Sequence, residues 1–131
     1  MNRWTGAACV LLLMGISPSQ GAASDDRPYC NLGVFTSAER SRHLALIHAL
    51  KAGVLETAEV TDGLGFRFAP QMLPQLTEWT ELESKCCPFI TFQLALAPQP
   101  GGELWMRLTG RPVVKEFIRT EFEPLKARSG R

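Results

Sequence analysis

Apolar and polar positions recur along this chain with two periods, and the changes of period divide it into elements. His43, Ile47, Leu50 and Val54 fall on one helical stripe, with Leu44 and Leu46 beside it, which predicts a helix over 37–52. Thr36-Ser37-Ala38-Glu39 opens it as a capping box, and Gly53 suits a left-handed residue after its end. Residues 56–69 read as a hairpin: strand-like ETAEVT, a turn at Asp62-Gly63-Leu64-Gly65, then FRFA with Phe66 and Phe68 on one face. Leu73, Leu76, Trp79, Leu82 and Cys86 form the stripe of a second helix. Pro74 fits only near its start, and Pro88 disfavours helical angles at Cys87, where it ends.

Residues 89–109 read as a second hairpin. Ile90, Phe92, Leu94 and Leu96 alternate with polar or small residues, Pro98 to Gly102 form the connection, and Leu104, Met106 and Leu108 share one face of the return strand. Pro112 suits a first helical turn, and Val114, Phe117, Ile118 and Phe122 mark a third helix. The order α-ββα-ββα predicts an α+β fold: a four-stranded antiparallel sheet with helices on one face. Periodicity does not give the strand order.

The N-terminus follows a different rule. Arg3 precedes a ten-residue apolar run, Ala7 to Ile16, and Gly21 and Ala23 stand at the −3 and −1 positions of a cut before Ser24. Residues 1–23 therefore read as a secretory signal peptide, too short in its apolar part for an ordinary membrane span. The expected organisation is a signal peptide over 1–23, a flexible leader over 24–29, one domain over 30–125 and a flexible tail over 126–131. Periplasmic or secreted location follows, with no stable membrane insertion after cleavage. Losing Arg3 leaves thirteen basic and thirteen acidic residues. With no charge excess and no basic run interleaved with aromatics, nucleic acid is not an expected partner.

Export changes the meaning of the cysteines. Cys9 leaves with the signal peptide, and Cys30, Cys86 and Cys87 remain, an odd number in an oxidising compartment. Cys86 lies on the apolar stripe, while Cys87 is turned by about 100° toward Thr80 and Glu83, so the two thiols are expected to diverge. Three readings stand. Cys86 can be a small core residue. Cys30 can bridge to Cys86 or Cys87, leaving one thiol over, whereas a ring between adjacent cysteines would be strained. Or three sulfurs can hold a thiophilic ion such as Cu(I), Hg(II), As(III) or Zn(II), with His43 or Glu83 as a fourth ligand.

A cysteine nucleophile is disfavoured, because a helix C-terminus opposes thiolate formation and no local histidine accompanies it. Glu83, one turn before both cysteines, reads equally as a solvated helix-face charge. Phe89 and Phe92 are expected on opposite faces of the third strand. No phosphate loop, cofactor fingerprint or paired carboxylates point to an enzyme.

The pattern Cys30, Glu83-Ser84-Lys85-Cys86-Cys87-Pro88-Phe89-x-x-Phe92, Leu108-Thr109-Gly110 and Lys115-Glu116-Phe117 resembles a family of small bacterial domains of uncharacterised role. The resemblance covers about residues 30–122. Similar segments occur beside regulators of the mercury-responsive type, which implies a link to heavy-metal or thiol stress. Carried over by position, it singles out Cys30, Glu83, Cys86, Cys87, Pro88, Phe89 and Phe92. The relatives are cytoplasmic in the main, and the export signal here favours a disulfide more than the family pattern does.

The function expected is therefore a small exported domain, not an enzyme, that holds a soft metal or metalloid ion through Cys30, Cys86 and Cys87, with Glu83 as an additional ligand. The alternatives are a disulfide-stapled interaction domain with a protein partner that the sequence does not name, and a thiol-redox protein.

Overall fold

A computed structural model describes residues 27–122. The proposed signal peptide, the leader up to Asp26 and the basic tail lie outside the described residues. Helix α1 spans Ser37–Gly53, strands β1 and β2 span Glu56–Val60 and Gly63–Phe68, and helix α2 spans Leu73–Cys86. Strands β3 (Thr91–Leu96) and β4 (Leu104–Thr109) and helix α3 (Pro112–Glu121) complete the order. This is the α-ββα-ββα fold with a four-stranded antiparallel sheet.

The strands lie in the order β1-β2-β4-β3. Helix α2 carries the chain from β2 across to the far edge, and β4 returns to fill the gap. The register stacks the apolar positions in rows: Leu64 opposite Leu108 and Phe92, Phe66 opposite Met106 and Leu94. Trp79 of α2 packs over these rows, with edge-on contacts to Phe92 and to Phe122 just past α3, both at 5.9 Å. Trp79, Phe66 and Phe68 are fully buried, and each contributes about 1.5–3 kcal/mol by leaving water. Among the described residues, no helix is long and apolar enough to cross a membrane.

Local chemistry sets the element ends. Thr36 Oγ1 accepts from the Glu39 amide at 3.1 Å, and Glu39 Oε2 accepts from the Thr36 amide at 2.9 Å, the capping box in full. The buried stripe of α1 is Leu46 and Leu50, with His43 and Ile47 half-buried and Leu44 turned to solvent. Gly53 does not take a left-handed angle. The helix runs through it to Val54, whose amide bonds to Leu50 at 3.1 Å. A Cβ there would meet the Met72 thioether, the far end of a flexible side chain, so the glycine leaves room for Met72 to lie against the helix end.

The first hairpin turns earlier than expected. Asp62 takes the left-handed angle, φ 67°, and Gly63 already pairs with Val60, so Leu64 and Gly65 belong to β2. Aspartate tolerates that angle because its short side chain bonds locally. Strand β3 starts only at Thr91, which leaves Phe89 in the turn before it.

Candidate functional site

The site forms where α2 ends. Cys86 is the last helical residue, and Cys87 has left the helix with φ −124° and ψ 64°, while its amide still bonds to Glu83 O at 2.8 Å. Pro88 is the physical cause, since its ring crowds a helical residue before it. The chain before α1 is tied to the same place. The Asn31 amide bonds to Cys86 O at 3.0 Å, and Asn31 Oδ1 accepts from Gly33 N at 3.1 Å to cap a single helical turn, Leu32–Val34. Cys30 is thereby held against the helix end.

Cys30 and Cys87 form a disulfide with their Cα atoms 5.0 Å apart and a sequence separation of 57. Spacing alone left Cys86 and Cys87 equivalent as partners. Cys86 remains a free, buried thiol. The expectation that the adjacent sulfurs diverge is overturned: Cys86 Sγ lies 3.8 Å from Cys87 Sγ. The 100° rotation assumed a helical Cys87, and the turn at that residue swings its side chain back toward Cys86.

Glu83 is only 3 % exposed, so the solvated-charge reading fails as well. It sits three and four residues before the cysteines and shares their side of the helix. Its Oε1 lies 3.3 Å from Cys87 Sγ and 3.6 Å from Cys30 Sγ. Its Oε2 lies 2.5 Å from His43 Nε2 on α1. A carboxylate taken out of water needs such a partner. The His43 ring lies beside Phe35, with ring centroids 5.1 Å apart, and is half-buried. His48 is exposed and takes no part. Lys85, adjacent in sequence, points away and pairs with Glu39 at 2.8 Å.

Phe89 packs edge-on against Phe117 at 5.0 Å, and Phe92 packs against Trp79. Both act as walls. The pairing of His43 with Glu83 is the feature the sequence did not reveal. Forty residues separate them, and no local pattern links a histidine on one helix to a glutamate on another.

The Cys86 thiol is pushed up to about 12 by burial first and by the negative charge of Glu83 second. It stays protonated at neutral pH and is no nucleophile. The ligand atoms of Cys30, Glu83, Cys86 and Cys87 all lie within 4.8 Å of one another, three sulfurs and one carboxylate oxygen. While the disulfide stands, two of those sulfurs carry no charge and cannot ligate. Two-electron reduction converts the cluster into a set of soft donors suited to thiophilic ions. A pocket of about 210 Å³ reaches the cluster, lined among others by Cys30, His43, Glu83, Cys86, Lys51 and Glu121.

No protein-family model, curated protein or solved structure matches this chain.

Proposed function

We propose that the protein binds a soft metal or metalloid ion through the thiolates of Cys30, Cys86 and Cys87 once Cys30–Cys87 is reduced, with Glu83 as an oxygen ligand. The convergence of these four donors within 4.8 Å carries this reading. The donor set fits the ion's chemistry: three soft sulfurs, and a carboxylate whose other oxygen is held by an imidazole, as carboxylates beside metals commonly are. An ion would also supply the positive charge that a buried thiol beside a carboxylate lacks, and so deprotonate its ligands. The resemblance of the Glu83–Phe92 segment to domains found beside mercury-responsive regulators supports the same class of ligand. Residues 1–23 support an exported protein that begins at Ser24, which the mass of the mature chain tests.

The binding test is a titration of chemically reduced protein with Hg(II), As(III), Cu(I) and Zn(II), followed by a count of alkylatable thiols. One ion per chain protecting all three thiols is the expected result. Three reactive thiols at saturating concentrations of every ion would refute it. The Cys30–Cys87 bond favours a second reading, a disulfide-stapled interaction domain. That reading predicts one thiol before reduction, three after, and no ion retained.

A further inference from the structure

The disulfide is asymmetric toward solvent. Cys30 is half-buried and lines the 210 Å³ pocket. Its partner Cys87 is 0 % exposed and does not line that pocket. A thiolate arriving through the pocket therefore meets Cys30 first. Lys51 and Glu121, both exposed, line the same pocket and pair one cation with one anion on its solvent side, with the buried Glu83 carboxylate as a second anion at the cluster. That pair matches a small zwitterionic aminothiol of the size of cysteine, and the cation favours the thiolate form of an incoming sulfur.

We propose that the protein exchanges disulfide for thiol with small aminothiols, and that the attacked sulfur is Cys30. The incoming thiolate, its proton given to water, bonds to Cys30 Sγ. The Cys30–Cys87 bond breaks, and its electron pair leaves on Cys87 Sγ, which takes up a proton from water. A second small thiol attacks the outer sulfur of the mixed disulfide. It releases the small-molecule disulfide and a Cys30 thiol. Two small thiols are oxidised to one disulfide, and the protein gains two electrons and two protons. The product carries three thiols around Glu83. The exchange stands without any ion, and only its consequence, that it opens a metal site, rests on the proposed function.

The test uses the oxidised wild-type protein and limiting free cysteine at mildly alkaline pH, with acid quench at intervals and peptide mapping by mass. The expected product carries one cysteinyl group on Cys30, and it appears before any free Cys87 thiol is alkylated in excess of it. Cysteinylation of Cys87 instead would overturn the assignment. So would an absence of adduct until denaturant is added, which would make the bond an inert staple. Lys51→Glu should slow adduct formation about threefold or more by repelling the thiolate, and an unchanged rate would overturn the pocket as the route. No ion is present in these measurements. Failure here leaves the titration of chemically reduced protein free to succeed, and failure of that titration leaves the exchange intact.

Discussion

Removing the Cys30–Cys87 bond should cost this domain a large part of its stability. The bond closes a loop with a sequence separation of 57. Loop-closure entropy for that length gives about 4 kcal/mol at room temperature. A domain of this size has roughly 5–15 kcal/mol in total. Reduction of the wild type should cost less than mutation, because the freed thiols can donate to Glu83 Oε1 from 3.3 and 3.6 Å. Such bonds return about 1 kcal/mol. The expected losses are therefore about 3 kcal/mol for the reduced wild type and about 4 kcal/mol for Cys30→Ala/Cys87→Ala. Urea unfolding followed by circular dichroism reads both. With an m-value of about 1–3 kcal/mol/M, the double variant should shift its midpoint down by roughly 1–4 M. Midpoints of the oxidised, reduced and doubly substituted proteins that coincide at equal m would refute the reasoning. They would mean that Asn31 and the apolar contacts hold the N-terminal segment at the helix end without the bond.

Glu83→Ala should destabilise the oxidised protein by about 3 kcal/mol, since it leaves His43 without its buried partner and opens a void beside the disulfide; thermal unfolding checks this. The free Cys86 gives a pH signature. Its thiol lies near 9.0 when unfolded and near 12 when folded, so the unfolded chain ionises first as pH rises. Its contribution is complete below pH 9.0 and is lost between 9.0 and 12, at about 1.4 kcal/mol per pH unit. Urea midpoints of the wild type should fall more steeply in that window than those of Cys86→Ala. Thr36→Ala removes half of the capping box and should cost about 1 kcal/mol without changing the thiol count. Saturating Hg(II) should raise the urea midpoint of the reduced protein and leave the oxidised one unmoved, by up to about 4 kcal/mol at a thousandfold excess over Kd.

The elements themselves were legible because each carries its own punctuation. Thr36 and Glu39 cap α1, Pro112 opens α3, and the apolar alternation of β2 and β4 survives into the register that stacks Phe66 on Met106. What local pattern missed depends on contacts across the chain. Gly53 looked like a helix stop, yet the helix runs through it, and its missing side chain leaves room for Met72, on the segment leading into α2. The strand order was hidden because antiparallel hairpins pack equally well by period alone, and only the reach of α2 places β4 beside β2. At the site, the four residues that the structure brings together could be named, but their geometry could not. The choice of Cys87 as partner and the approach of Cys86 to it follow from one residue leaving the helix before Pro88, and the burial of Glu83 follows from the packing of His43 and Cys30 against it.

That single departure also explains why a site sits at a helix end that opposes negative charge. The last turn of α2 presents carbonyl dipoles, and Glu83 adds a carboxylate within 3.3–3.6 Å of two sulfurs. Thiolates cannot accumulate there unaided, as the upward shift of Cys86 already shows for one of them. Two arrangements relieve the repulsion. One removes charge from Cys30 and Cys87 by joining them, and it is the arrangement observed. The other supplies a cation to three thiolates, and it releases their protons as it does so. Three isolated reactive thiolates are the state this environment disfavours. A protein built this way is expected to pass between disulfide and ion-bound forms through protonated thiols, and a proton release that scales with ions bound to the reduced protein measures that passage directly. Binding of Hg(II) with no proton release in weakly buffered solution would show that the sulfurs were already thiolates, and the electrostatic account would fail.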